Sequence, residues 1–299
     1  MARSLADLRE ELLRLIDLTG LSDRKQEIVA AAKPSVRIFT KPSPGAEATS
    51  FVGGHPTNKE VVWPVCNQGL ALTHLAQIHL SDIAPYFVDA PAPKSGMLNF
   101  FIDLQEFGNG NQHDDIDGWK VIYTPEPKPS VERPEVSPEG YELASDWPDL
   151  DPDLPFCPIS FTQDLTIPSF RSIEILPLGK LEFEAYDALR NKLADLVDQT
   201  DSIHRMFGHP DAVQGCMQIE AQFVTNAAYL PSGVHNYFKH PRAGELMPGA
   251  HDWLLLFQLD SNKTPGWMWG DWGRVYFWIK SDDLARCAFE KTWHFLQCH

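Results

Sequence analysis

Basic residues are scarce in this chain. Its 299 residues hold 25 Lys and Arg against 41 Asp and Glu, a net charge of −16. No run of Lys or Arg occurs, which argues against nucleic acid or an anionic membrane as a partner, since phosphate binding needs a basic face. Cysteine is sparse too. Cys66, Cys157, Cys216, Cys287 and Cys298 are odd in number, and no two have CxxC spacing. That pattern speaks against a disulfide framework or a zinc site and for reduced, mostly buried thiols in a cytoplasmic protein. No apolar run approaches the roughly 20 residues of a membrane helix. The start, Met1 to Glu11, is charged and periodic and lacks the apolar core of a signal peptide. Catalytic signatures are missing as well: there is no GxSxG, GxGxxG, P-loop or HExxH motif.

What is present is strand-forming sequence. Trp253 to Asp260 and Gly273 to Ile279 are two apolar runs of strand length around the loop Trp267-Met-Trp-Gly-Asp-Trp-Gly273. Both are expected to be central strands covered on both faces. Upstream, Leu5, Leu8, Leu12 and Ile16 recur at helical spacing behind Ser4, a candidate N-cap, and a second helix is expected over 22–32. Strands are expected at 35–39, 72–80 and 96–104, Phe51-Val-Gly-Gly-His-Pro56 is expected to end a further strand in a glycine turn, and a helical turn is expected at 81–83. In the second part of the chain a strand is expected at 172–176, a helix over 183–197, a strand at 216–223 and a last strand at 293–297. Ser281 reads as the N-cap of a short helix that Asp282 and Asp283 suit.

The oxygen-rich stretch 108–118 raises a calcium question. In EF-hand register His113 falls at position one and Thr124 at position twelve, where a bidentate Glu is needed, so a solvated hairpin turn is the better reading. Residues 125–158 carry nine of the 24 prolines and nine Asp or Glu against Lys128 and Arg133. Proline lacks a ladder donor, so this segment reads as a surface connection and not as sheet interior.

Two patterns recur. Phe51-Val-Gly-Gly-His-Pro56 is echoed by Met206-Phe-Gly-His-Pro210. Leu75-Ala-Gln-Ile-His-Leu80 followed by Gly96-Met-Leu-Asn-Phe-Phe-Ile102 is echoed by Leu256-Phe-Gln-Leu-Asp260 followed by Gly273-Arg-Val-Tyr-Phe-Trp-Ile279. The echo suggests an internal duplication. The expected architecture is α+β, with mixed or antiparallel sheets in two related β-rich halves and a few flanking helices. The expected division is a helical arm over 1–34 and one domain over 35–299. Its halves run over 35–124 and 159–299, joined by the acidic connection 125–158.

These same segments, with Val61-Val-Trp-Pro64, Trp269-Gly-Asp-Trp-Gly-Arg-Val-Tyr-Phe-Trp-Ile279 and Leu296-Gln-Cys298, resemble the YwqG-like family over residues 50–299. The resemblance implies an α+β fold. Members found near secreted toxin systems suggest an immunity or regulatory role by association alone. It supplies no catalytic residue, and His55 and His209 sit at positions where other residues also serve.

Three groups are candidates for a ligand site. Gln77 and Gln258 lie inside apolar strands, where an amide needs firm partners; they either clamp neighbouring turns or face a cleft. Trp267, Trp269 and Trp272 with Asp271 offer flat apolar surface and one carboxylate. Gln218, Glu220 and Gln222 alternate with apolar residues and are expected on one sheet face. No catalytic residue, metal or cofactor is expected. Two functions fit. The first is a non-catalytic protein-binding module of immunity or regulatory type, its partner a protein of basic charge. The second is an enzyme or small-ligand binder with a polar, Trp-lined cleft between the halves.

Overall fold

The computed structural model describes residues 3–41, 48–67, 69, 71–87, 90–104, 110–128, 154–197, 202–228, 237–263 and 265–299. Most of the acidic connection, and Gln68 of an expected turn, lie outside the described residues. Helix α1, Leu5–Leu18, starts where expected. The Ser4 side chain accepts from the Asp7 N–H while Asp7 accepts from the Ser4 N–H, a capping box. Helix α2 spans Lys25–Ala31, behind a single 3-10 turn.

Among the described residues, ten strands form one sheet in which every pairing is antiparallel: β1 Lys33–Thr40, β2 Phe51–Val52, β3 Thr73–His79, β4 Met97–Ile102, β5 Trp119–Thr124, β6 Cys157–Thr166, β7 His204–Met206, β8 Trp253–Asp260, β9 Arg274–Lys280 and β10 Trp293–Gln297. Their order across the sheet is β10-β9-β8-β7-β1-β6-β2-β3-β4-β5. Read inward from either edge, four strands follow one another in reverse chain order. Strands β2 to β5 run outward on one side and β7 to β10 on the other. The two innermost strands are exchanged: β1, from the beginning of the chain, pairs with β7, and β6 pairs with β2. Between them, β1 and β6 share the ladder from Lys33–Thr166 to Thr40–Ile159.

The sheet curls until its edges approach. Trp119 of β5 packs edge-on against Trp293 of β10 at 4.9 Å, and its indole N–H donates to the Thr292 carbonyl at 2.8 Å. Inside the curl, Phe100 of β4 meets Phe257 of β8 at 4.7 Å and Phe277 of β9 at 5.1 Å, so one apolar core serves both sides. A second core lies outside. There the Leu8, Leu12, Leu15 and Ile16 stripe of α1 packs with Tyr186, Leu189 and Leu193, which lie on a later helix, and with Leu165 of β6. Helix α3 is the single turn Leu80–Ile83, and α4 is Phe183–Asp195. No described helix is long and apolar enough to cross a membrane.

Four expectations fail. Cys216–Phe223 is not a strand: Met217–Val224 forms helix α5, buried on nearly all sides. Its alternation of apolar and polar side chains arises because Gln218 and Gln222, four apart, share a helical face, and both are buried. Residues 172–176 are likewise not a strand but enter the 3-10 turn Ile173–Leu178. Pro158 lies inside the sheet, as the second residue of β6. The ladder to β1 has ended beside it, at Thr40–Ile159, and its carbonyl still accepts from the Lys41 N–H at 2.7 Å. Ser281 is the first residue of its short helix and makes no side-chain cap. Strands β5, β6 and β7 had no counterpart among the expected strands.

The two sides of the sheet carry matching details. Each has a β-bulge at the same place, between His74 and Ala76 in β3 and between Leu255 and Phe257 in β8. Each bulge is followed by a buried glutamine. Gln77, opposite Phe51, accepts from the Thr57 N–H at 2.8 Å and donates to the Thr49 carbonyl at 2.8 Å. Gln258, opposite Arg205, accepts from the Asp211 N–H at 2.9 Å and donates to the Ile203 carbonyl at 2.8 Å. Each amide thus fastens a turn that begins with two left-handed residues, Gly53 and Gly54 on one side, Phe207 and Gly208 on the other. At Gly53 only glycine fits, because a Cβ would lie 2.2 Å from the Pro155 carbonyl oxygen.

Replacing either glutamine by the near-isosteric leucine strands a buried N–H and a buried C=O, roughly 1–3 kcal/mol each. Urea unfolding of Gln77→Leu and Gln258→Leu is expected to show a lower midpoint at unchanged slope. A midpoint within error of the parent chain would sink the clamp assignment.

Candidate functional site

The turn that follows β7, Phe207-Gly-His-Pro-Asp211, is held by more than Gln258. The Tyr276 hydroxyl and the Arg274 guanidinium donate to the Asp211 carbonyl at 2.8 and 2.9 Å. The Asp211 carboxylate meets Arg205 at 2.8 Å and Arg190 at 3.4 Å. Burial works to raise the Asp211 carboxyl, but Arg205, Arg274 and Arg190 outweigh it and hold it at about 2. The fixed turn aims His209 at the end of α2, where its Nε2 lies 2.7 Å from the carbonyl of Ala31. That carbonyl belongs to the last turn of a helix and has no partner within it. It can only accept, so Nε2 carries the hydrogen and the neutral ring presents Nδ1 as a bare acceptor.

A cavity of about 320 Å³ opens beside this turn. Its apolar wall is Phe87, Phe207, Trp253, Leu255 and Trp278, and its polar part is Lys33, Glu174, His209 and Gln218. Chain segments from both sides of the sheet contribute, with Phe87, Ala90 and Pro91 from the connection after α3 and the rest mainly from the β7–β9 side. Glu174 is the centre of the polar part. Its Oε1 accepts from Lys33 Nζ at 2.6 Å and from Gln218 Nε2 at 3.0 Å. Its Oε2 lies 3.9 Å from His209 Nδ1. Three buried polar atoms of the wall, Glu174 Oε2, His209 Nδ1 and Trp278 Nε1, have no hydrogen-bond partner.

Electrostatics sets the charge state. Burial works to raise the Glu174 carboxyl, but His209 and Lys33 more than offset it and hold it at about 2. Burial pushes the His209 ring down to about 4, and the Lys33 ammonium pushes the same way. At neutral pH the site therefore holds a carboxylate, an ammonium and an uncharged imidazole. Burial raises the thiols of Cys157 and Cys216, the latter to about 12, which leaves neither as a ready nucleophile. Among the described residues no group of three His, Cys, Asp or Glu is placed to hold a metal ion.

Of the residues singled out from the sequence, Gln218 alone lines this cavity. It reaches Glu174 and the Trp253 carbonyl from α5. Glu220, on another face of that helix, accepts from the Tyr237 hydroxyl, and Gln222 accepts from the Trp253 indole at 3.0 Å. The three do not share a face, which corrects the expectation of an alternating sheet surface. Gln77 and Gln258 are clamps within the sheet. In the tryptophan loop, Trp267 and Trp269 are buried, and the Trp267 N–H and carbonyl bond Asn262. Asp271 is exposed, and Trp272 is exposed to 45% in a left-handed conformation with Lys263 5.4 Å from its ring. Glu174 and His209 were passed over. The signals were there: a single acid inside Ile173-Glu-Ile-Leu176, and the second copy of a Gly-His-Pro turn.

Compared with known families, residues 50–298 match the one described as Domain of unknown function (DUF1963). The chain belongs to this family. A comparison with curated proteins finds no match. The DUF1963 match begins after β1, so it takes in Glu174, His209 and Gln218 but not Lys33, which reaches the cavity from the N-terminal segment.

The buried rings give the fold a pH dependence with a definite sign. Burial lowers His74 and His209 to about 4 and His204 to about 3, against 6.5 for a free ring. Below 6.5 the unfolded chain takes up protons that the folded chain refuses, so stability falls as pH drops towards 4. Each ring contributes about 1.4 kcal/mol per pH unit in that window. Glu174 acts in the same direction at lower pH, since its carboxyl stays charged in the fold below the ordinary 4.5. Urea midpoints are expected to fall steadily from pH 7 to 4.5, with a shallower slope in His209→Asn. Midpoints that do not move with pH would overturn the neutral-ring assignment.

Proposed function

We propose that this protein binds a small molecule in the cavity beside Glu174 and His209, and that the two sides of its sheet arose by internal duplication. The supporting observation is a difference between matching positions. The cross-strand pair Leu255–Trp278 forms one wall of the cavity. Its counterpart at the same bulge is His74–Phe101. That pair is covered by Trp63, whose ring lies 5.4 Å from Phe101 and 6.4 Å from His74 and whose N–H donates to the Leu72 carbonyl at 2.8 Å. On the other side the corresponding carbonyl, that of Trp253, receives Gln218, whose smaller side chain leaves the wall open. One half fills the position with an indole; the other keeps a space with a charged floor.

Size and lining fit this reading. Small-ligand sites run from roughly 300 Å³ upward and are mostly apolar with a few placed polar groups. The reading is the second of the two drawn from the sequence, with the cleft relocated from the tryptophan loop to Trp253 and Trp278. The chain's negative charge supports a basic protein partner in general terms, and Met268 and Trp272 offer exposed apolar surface for one, but neither is tied to a shaped site. A role in immunity rests on the YwqG-like resemblance alone.

Ala90 sits at the cavity wall and is half-buried, so Ala90→Trp blocks the space from the connection after α3 without entering the sheet core. A panel of aromatic fragments with neutral, cationic and anionic head groups, screened by thermal shift, is expected to include members that raise the melting temperature of the parent chain. Those shifts should vanish in Ala90→Trp. An inert panel, or shifts that survive the block, would count against a ligand site here.

A further inference from the structure

The polar part of the cavity also defines a class of ligand, given that the cavity is a ligand site. Glu174 Oε2 and His209 Nδ1 face each other at 3.9 Å with no hydrogen between them. His209 supplies its one ring hydrogen to Ala31, and Glu174 is ionised, so both facing atoms are acceptors. Two buried acceptors side by side are unfavourable until a donor with at least two hydrogens bridges them. An atom about 2.8 Å from each, a normal hydrogen-bond distance, fits a 3.9 Å separation.

We propose that the cavity takes an apolar molecule ending in a primary amine, with its ammonium between Glu174 Oε2 and His209 Nδ1 and its body against Phe87, Phe207, Trp253 and Trp278. Three observations favour ammonium over other donors. Glu174 already holds one ammonium, that of Lys33, on its other oxygen. That Lys33 side chain is 39% exposed, so its own charge stays partly in water. The aromatic lining attracts a cation by its ring faces, and a hydrogen bond from a charged donor to a carboxylate is about twice as strong as a neutral one. The protein's charge of −16 draws cations and repels anions. A carboxylate head group would set a third acceptor, and a second negative charge, against Glu174.

The test is calorimetric titration of the full chain at pH 7 with three molecules that share one body: 2-phenylethylamine, 2-phenylethanol and 3-phenylpropionate. The amine is expected to bind one-to-one and roughly tenfold more tightly than the alcohol, with no heat from the acid. Glu174→Gln should bring amine and alcohol to similar affinity, since the carboxylate that distinguishes them is gone. If the alcohol or the acid binds as tightly as the amine and Ala90→Trp abolishes that binding, the amine assignment falls while the ligand site stands. Failure of all three, with other head groups binding in the fragment panel, has the same meaning. Amine binding that persists in Ala90→Trp overturns the assignment as well.

Discussion

The antiparallel ladder between β1 and β6 is the constraint from which the rest of the molecule follows. It is made of two strands that have each left their own sequence neighbours. Strand β1 completes the β7–β10 side, and β6 completes the β2–β5 side. Neither side therefore has its full set of ladder hydrogen bonds until the chain has crossed twice. The exchange also sets what surrounds the cavity. Ala32 and the first two residues of β1, Lys33 and Pro34, become part of a wall whose remaining members come largely from the chain beyond residue 170. The partner ammonium of Glu174 reaches it by this route, across 141 residues of sequence.

On this shared frame the two sides are filled differently. Around β2 and β3 the outer surface of the sheet is closed by rings: Phe51, His74, Phe101, Trp63 and Phe156 pack within 4.8 to 6.4 Å of one another in successive pairs. Around β7 to β9 the position related to Phe51 holds a charge, Arg205. Arg205 lies 2.8 Å from Asp211, and Arg274 lies 2.9 Å from Asp260. Buried ions are tolerated only in such pairs, and their value is in fixing one arrangement more than in adding stability. Here the fixed arrangement is the Phe207–Asp211 turn. A rigid turn is needed to hold a neutral imidazole against a helix end and keep its second nitrogen facing a carboxylate. The aromatic side meets no such demand, and its turn is built on two glycines.

Much of the frame was legible because it rests on local patterns. The α1 stripe and its capping box, the apolar runs of β3, β4, β8 and β9, and the matched glutamines all follow from periodicity or from a polar residue set in apolar sequence. Strand β6 was not legible. It starts within a proline-rich stretch and contains adjacent buried polar residues, Gln163 and Asp164, whose partners are Ser35 and Arg205 from far along the chain. Helix α5 was misread for a related reason. Buried on nearly all sides, it carries no amphipathic stripe, and its glutamines mimic the alternation of a strand. The tryptophan loop drew attention for its flat apolar surface and its carboxylate. Two of its three indoles are anchors in the core.

The sequence by itself determined the apolar runs of β3, β4, β8 and β9, the repeated turn-and-glutamine pattern and the acidic balance of charge, because each depends on neighbours in the chain or on totals over it. Tertiary structure alone decided where the cavity lies and what it presents. Lys33, Glu174, His209 and Gln218 come from a strand, a 3-10 turn, a loop and a helix, and nothing in their local sequence joins them. Their juxtaposition is a product of strand exchange. Their protonation states follow from the burial and the unlike charges that the exchange brings together.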